Sequence, residues 1–232
     1  MKGGEAGKES REMTTISKDL AEKFKKMDTT SVSDALDRLG IKGGCQGILP
    51  QVSGIKMVGT AFTVRYRPCG MAKGTVGDFL DDVQPGQVVV LDNGGRMFGT
   101  VWGDIMTVYA QKRGVAGTVI DGVCRDLPRI LETRYPIYTR GRYMVTGKDR
   151  VEVDGVNVPV SVSDVHVRPD DLLVGDDSGV VVVPYDRAEE VLRAAQEIDE
   201  AERKILEMLE KGITLREARK QLGYHRLQTK RP

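Results

Sequence analysis

Apolar residues first recur with helical spacing at Leu20, Phe24 and Met27 in SKDLAEKFKKM, and Ser17 is placed to cap that helix. Thr30 and Ser31 offer a second cap, for a helix in VSDALDRLG that Gly40 closes. Residues 45–51 have no periodicity and predict a loop. Beyond it, KMVGTAFTVRYRP (56–68) and QVVVLD (87–92) are β-branched runs bounded by Gly and Pro, which predicts strands. Residues 102–113 return to helical spacing, with Gly114 as the C-cap. GTVIDG (117–122) is almost wholly apolar, the pattern of a strand covered on both faces. LPRILETR (127–134) predicts a helix, and YPIYTRG a further strand.

From residue 151 the pattern shortens to alternating strands. Asp154-Gly155 stands between two period-two runs in VEVDGVNVPVSV and predicts a hairpin turn. Further turns are expected at residues 169–171 and 177–179. Residues 185–211 form a long amphipathic helix with Val191, Ala195, Ile198, Ile205 and Leu209 on one stripe. Gly212 ends it, and Thr214 can cap a last short helix. The expectation is one α/β domain over residues 14–211 with helices at both ends. A disordered tail is expected over 1–13, and a short helix and tail over 212–232.

Composition narrows the function classes. Lys plus Arg number 35 against 34 Asp plus Glu, a formal charge of +1, which gives no electrostatic reason to expect a nucleic acid partner. The basic stretches at residues 2–11 and at Lys230-Arg231 read as solvated tails. Every apolar run is broken by Gly or a charge within about ten residues, so no bilayer crossing is expected. The opening MKGGEAGKESREM lacks the hydrophobic core of a signal peptide. The 3 cysteines, Cys45, Cys69 and Cys124, form no CxxC pair, which fits free thiols in a cytoplasmic protein.

Chemistry concentrates in residues 94–126. Gly94 and Gly95 follow a strand, and Gly99 and Gly103 precede a helix. Glycines at such a junction either make a tight turn or let a ligand approach the backbone, with the helix N–H groups favouring an anion. Asp121-Gly122-Val123-Cys124-Arg125-Asp126 follows the buried strand, and ligands gather at the carboxyl ends of strands in open α/β folds. Arg125 can grip a carboxylate and Asp126 can ligate a hard cation; the alternative is an ordinary surface ion pair. Trp102 is expected to pack under the glycine loop.

Several other chemistries are disfavoured. The 2 histidines, His166 in a strand and His225 in the tail, give no HExxH or paired His/Cys set, so zinc is not expected. Any metal would draw oxygen ligands, which selects Mg²⁺ or Mn²⁺. No GxSxG elbow accompanies a placed His, and Lys148 sits in a loop without an apolar pocket for Schiff-base chemistry. Asp176-Asp177 reads as turn chemistry, and Asp199, Glu200 and Glu202 as the solvent face of a helix.

Trp102-Gly103, Lys112-Arg113-Gly114-Val115-Ala116-Gly117, Val119-Ile120-Asp121-Gly122 and Arg125-Asp126 occur here in one order. With Val58-Gly59-Thr60-Ala61, Pro85-Gly86, Val156–Val160, Pro169-Asp170-Asp171 and Gly175–Pro184, the chain resembles the RraA-like family over about residues 30–205. That family includes 4-hydroxy-4-methyl-2-oxoglutarate aldolases and regulators of ribonuclease activity A. The resemblance implies a swivelling ββα-type fold, a homotrimer or hexamer, and an active site between subunits. It also implies a class II aldolase that releases pyruvate from a 4-hydroxy-2-oxo acid, with oxaloacetate decarboxylation as a side activity. By resemblance, Asp126 falls on the metal ligand and Arg125 on the carboxylate grip. Gly103, Asp104, Ile105 and Met106 fall on a backbone anion pocket, with Asp104 also catalytic. Glu202 falls on an acid given by the neighbouring subunit, and Asp34 on an N-terminal acidic position. The alternative within the family is a non-catalytic regulator that binds a ribonuclease. The older methyltransferase label carried by many members needs a cofactor cradle that the sequence lacks. Residues 68–83 depart from the family pattern, with Phe79 after Gly77-Asp78, in a segment expected to border the substrate pocket.

Overall fold

The computed structural model describes residues 16–71, 74–224, 227 and 229. The expected N-terminal tail, His225 and Lys230-Arg231 lie outside the described residues. Two helices open the chain, α1 (Lys18–Phe24) and α2 (Thr29–Arg38). Ser17 caps α1 as the sequence predicts, its side chain accepting the Leu20 N–H. α2 starts earlier than expected. Its N-cap is Asp28, not Thr30 or Ser31, and Asp28 makes no side-chain cap bond. The cap comes from a distant turn instead: Asp176 accepts the Thr29 N–H at 2.8 Å and the Thr29 hydroxyl at 2.6 Å. At the other end Gly40, at φ +69°, lets the Ile41 N–H return to the Leu36 carbonyl.

The strands are β1 (Leu49–Pro50), β2 (Met57–Pro68), β3 (Val88–Arg96), β4 (Gly117–Cys124) and β5 (Ile137–Arg142). They continue with β6 (Val151–Val156), β7 (Val160–Val162), β8 (Val165–Val167), β9 (Leu172–Asp176) and β10 (Gly179–Val183). The large sheet runs β1-β5-β4-β3-β2-β9-β10, with β6 also on β2. β2 to β5 are parallel, and β1, β6, β9 and β10 join antiparallel. β4 is buried at every residue, as its apolar run predicts.

Two readings need correction. Asp154-Gly155 does not turn a hairpin; both lie inside β6, which pairs with β2 across a register shift between Arg65 and Tyr66. The hairpin is β7–β8, turned by Ser163 and Asp164, both in the left-handed region at φ +51° and +61°. Gly94 and Gly95 likewise sit within β3, where the pairing to β4 shifts between Asp92 and Arg96. They form a bulge rather than the end of a strand.

Helices α3 (Asp104–Lys112) and α4 (Leu127–Thr133) cover one face of the parallel strands. Phe62, Leu91, Ile120, Trp102 and Ile130 fill that layer. The β7–β8 hairpin covers the other face, packing Val160, Val162 and Val165 against Val90 and Val119. A third core joins α1, α2 and β9–β10 to α5 (Ala188–Glu210). Val191, Ala195, Ile198 and Ile205 are its buried stripe, whereas Leu209 is partly exposed. α6 (Leu215–Gln221) follows, capped by Thr214. The whole is one mixed α/β domain, a central sheet with flanking helices. Among the described residues, no helix is long and apolar enough to cross a membrane.

Candidate active site

The site forms where β4 ends and α3 begins. Asp126 follows β4 as the residue before α4, in the left-handed conformation at φ 59°, ψ 39°. Aspartate tolerates this region better than most residues. An Asp in that position ordinarily caps its own helix; here it makes no such bond. Its Oδ2 instead accepts the Asp104 N–H at 3.1 Å, at the start of α3. Arg125 Nε lies 3.3 Å from the same oxygen, and the two side chains are 40% and 37% exposed. The Arg125 N–H donates to the Trp102 carbonyl at 3.0 Å, tying the end of β4 to the approach to α3.

Gly103 makes this closeness possible. A Cβ there would stand 2.6 Å from Asp126 Oδ2 and 3.3 Å from Arg125 Nε. Trp102 underlies the turn as predicted, 1% exposed, stacked on Tyr135, with its indole N–H donated to the Thr107 hydroxyl.

A cleft of about 340 Å³ opens here, walled by Gly103, Asp104, Ile105, Met106 and Arg125. Four of the residues singled out for an anion pocket and the carboxylate-gripping Arg125 therefore share one cavity. Two of the amides in that set are engaged internally. Asp126 takes the Asp104 N–H, and the Asp104 carboxylate takes the Ile105 N–H at 2.8 Å. Residues 74–78, part of the 68–83 segment that departs from the family pattern, also line the cleft, together with Thr100, Thr146 and Lys148. Sequence reasoning missed Thr146 and Lys148 as cleft residues. A bridge between Thr100 and Thr146 brings them in, and no local pattern signals such a contact.

Glu202 and Asp34 are elsewhere. Glu202 lies on α5 near Asp34 of α2 and Asp199; burial first, then these two carboxylates, push its pKa above the usual range. Neither Glu202 nor Asp34 lines the cleft. Among the described residues no three His, Cys, Asp or Glu side chains gather to hold a metal. Within one chain the carboxylates lining the cleft are Asp78 and Asp104, both oxygen donors of the kind hard cations take. His166 lies on β8 and is exposed.

The family model RraA-like: Aldolase/RraA matches residues 29–182. Protein DlpA of Legionella pneumophila is 38% identical over 85% of this chain, and the match covers 32% of DlpA, so the chain spans about a third of that relative's length. A Halalkalibacterium halodurans protein named "Putative 4-hydroxy-4-methyl-2-oxoglutarate aldolase" is 34% identical over 77% of this chain and 82% of its own length. Among solved structures, an uncharacterized protein from Pseudomonas syringae pv. tomato matches with a TM-score of 0.83 and 44% identity, over 89% of this chain and 99% of that one. Streptomyces coelicolor RraAS2, described as an unusual member of the RNase ES inhibitor RraA protein family, matches with a TM-score of 0.75 and 30% identity, over 81% of this chain and 95% of its own.

Proposed function

The chain belongs to the RraA-like family, and from that premise we propose that it is a divalent-metal-dependent aldolase releasing pyruvate from a 4-hydroxy-2-oxo acid. The substrate would be of the 4-hydroxy-4-methyl-2-oxoglutarate kind, with oxaloacetate decarboxylation as a companion activity. The observation that carries the reading is Arg125 facing a cleft at the end of β4, with the Asp126 carboxylate lodged against Gly103 at the start of α3.

Arg125 would grip the substrate carboxylate through its guanidinium fork. The same charge stabilises the negative charge that builds on the three-carbon fragment as C3–C4 breaks. Asp126 would hold Mg²⁺ or Mn²⁺, with Glu202 of a neighbouring subunit completing the site in a homotrimer or hexamer. Such a cation, when bound, supplies positive charge beside the carboxylate and 2-oxo oxygens. Asp104, which lines the cleft, would take the C4 hydroxyl proton. A substrate carboxylate seeking the α3 amides must displace Asp126 Oδ2 and Asp104 Oδ1, which hold them in the free protein. Binding would thereby free the Asp126 carboxylate, the group that would hold the cation.

A lactate dehydrogenase-coupled assay of pyruvate release tests this. It compares 4-hydroxy-4-methyl-2-oxoglutarate with oxaloacetate, each with Mg²⁺, with Mn²⁺ and after EDTA. Turnover is expected to need a divalent ion, to vanish in Asp126→Ala and to fall about 100-fold or more in Arg125→Lys, which loses the bidentate fork. Undiminished turnover by folded Asp126→Ala would remove the mechanism. The second reading, a non-catalytic regulator that binds a ribonuclease, is favoured by the likeness to RraAS2. It predicts no pyruvate from either substrate, and inhibition of a ribonuclease that survives Asp126→Ala.

A further inference from the structure

Lys148 lines the cleft, and the proposed chemistry leaves it unused. Its position is set by the backbone of the loop before β6. The Thr100 N–H donates to the Val145 carbonyl at 3.0 Å, and the Gly147 N–H returns a bond to the Thr100 carbonyl at 2.9 Å. Gly147 is needed for this approach, because a Cβ there would collide with the Thr100 carbonyl oxygen. The Thr146 hydroxyl then accepts the Lys148 N–H at 3.2 Å, and the Arg150 guanidinium donates to the Thr146 carbonyl, also at 3.2 Å. A pinned loop thus carries Lys148 to the cleft, exposed, on a flexible four-carbon stem.

Two cations therefore line one cavity from separate parts of the fold, Arg125 after β4 and Lys148 before β6. Arg125 meets Asp126 through Nε, at 3.3 Å, and its two terminal nitrogens make no hydrogen bond with the described residues. Lys148 has no carboxylate within ion-pair distance among the described residues, although Asp78 and Asp104 line the same cleft. Asp104 is engaged with the Ile105 N–H instead. A monoacid would fill the Arg125 fork and leave the ammonium without a partner. A diacid satisfies both cations. At about 340 Å³ the cleft is at the small end of ligand pockets, so a second carboxylate three carbons from the first stays within it.

We propose that Lys148 selects the substrate, taking the second carboxylate of a 4-hydroxy-2-oxo diacid whose first carboxylate sits on Arg125. The assignment rests on the aldolase reading for its reaction, whereas the preference for a diacid is open to a binding test alone. Lysine suits the second group. That carboxylate is attached to C4, which goes from tetrahedral to planar as C3–C4 breaks, and a point charge on a flexible stem can follow it where a rigid fork cannot. Its charge is the same before and after the step, so Lys148 contributes to binding and little to the barrier.

Calorimetry on the full-length chain with Mg²⁺ compares 2-oxoglutarate, a diacid that lacks the 4-hydroxyl and is not cleaved, with 2-oxopentanoate, which ends in a methyl group instead of the second carboxylate. The diacid should bind about tenfold more tightly. Lys148→Ala should erase that preference and Lys148→Arg should restore most of it. Lys112→Ala, at the far end of α3, should leave it whole. In the coupled assay, Lys148→Ala should raise KM for 4-hydroxy-4-methyl-2-oxoglutarate about tenfold with kcat nearly unchanged, and should leave KM for the monoacid 4-hydroxy-2-oxopentanoate where it was. A preference that survives Lys148→Ala, equal binding or no binding of the two probes by the wild-type chain, or a loss confined to kcat overturns the assignment. A preference that depends on Lys148 in a chain that releases no pyruvate upholds Lys148 as the diacid grip and removes the aldolase reading instead.

Discussion

At the scale of single residues, Gly103 is the tightest constraint on the candidate site. Its φ of −148° is open to any residue, so alanine there strains no backbone. What a methyl group meets is functional: Asp126 Oδ2 at 2.6 Å and Arg125 Nε at 3.3 Å. Gly103→Ala is expected to keep its melting temperature within a few degrees while kcat/KM for pyruvate release falls at least about tenfold, the cost of about 1.4 kcal/mol of misplacement. Melts and the coupled assay on one preparation check it; wild-type kcat/KM would show that this packing does not position the pair. The cysteines invite a second measurement. Burial, and after it Asp121, push the Cys45 thiol up to about 12 against the opposing pull of Arg140. Burial likewise raises Cys124 to about 11, although Thr139 and Arg142 act the other way. Cys69 is only partly buried. A thiolate reagent at neutral pH should therefore label one site quickly in the folded chain and three after denaturation, with Cys69→Ser removing the fast phase. Fast labelling that persists in Cys69→Ser would contradict this burial pattern.

At the scale of elements, α2 depends on a cap from outside its own segment. Burial works to raise the Asp176 pKa, but hydrogen bonds from Thr29 and Ser178, with Lys56 nearby, hold it below the usual 3.8. Because the folded pKa is depressed, the stabilisation is present above 3.8 and is lost as pH falls through the lower folded value. Asp176→Ala should cost about 1 kcal/mol at pH 7. Denaturant melts at neutral and acid pH check it: the gap to wild type should narrow in acid, and a constant gap would mean that charge plays no part. This dependence also marks where sequence reading stops. β4 was legible because eight consecutive buried residues leave an apolar run, and α5 because its stripe holds helical spacing. α2 was placed but mis-started, since its cap lies 147 residues away in sequence. Asp154-Gly155 and Gly94-Gly95 read as turns because the same dipeptides serve turns and bulges. Only the partner strand, β2 for one and β4 for the other, decides between them.

At the scale of the molecule, the sheet order carries residues that are distant in sequence to one end of the parallel strands, and the cleft appears there. Arg125 and Asp126 could be singled out from their place after a buried strand. The rest of the lining, from residues 74–78 to Lys148, could not, because it depends on loops meeting in space. One chain still leaves the proposed site short of acids: Asp126 is bound to the Asp104 N–H behind the cleft wall and is not among the residues that line the cleft, whereas Glu202 sits on α5 beside Asp34 and Asp199. Ile105, which lines the cleft, is 79% exposed, and Met144 and Phe98, each two residues in sequence from the cleft residues Thr146 and Thr100, are 75% and 52% exposed. A surface of this kind gains from cover. If a head-to-tail ring of three chains supplies that cover and brings Glu202 to a neighbour's Asp126, each site draws its two acids from different chains. Asp126→Ala and Glu202→Gln should then each be inactive as pure trimers. Unfolded together and refolded at equal amounts, they should recover about a quarter of wild-type activity, the fraction of junctions that pair an intact Asp126 with an intact Glu202. Two variants that stay inactive together, although the refolded trimer is confirmed by light scattering, would place both acids in the site of a single chain or remove Glu202 from the chemistry.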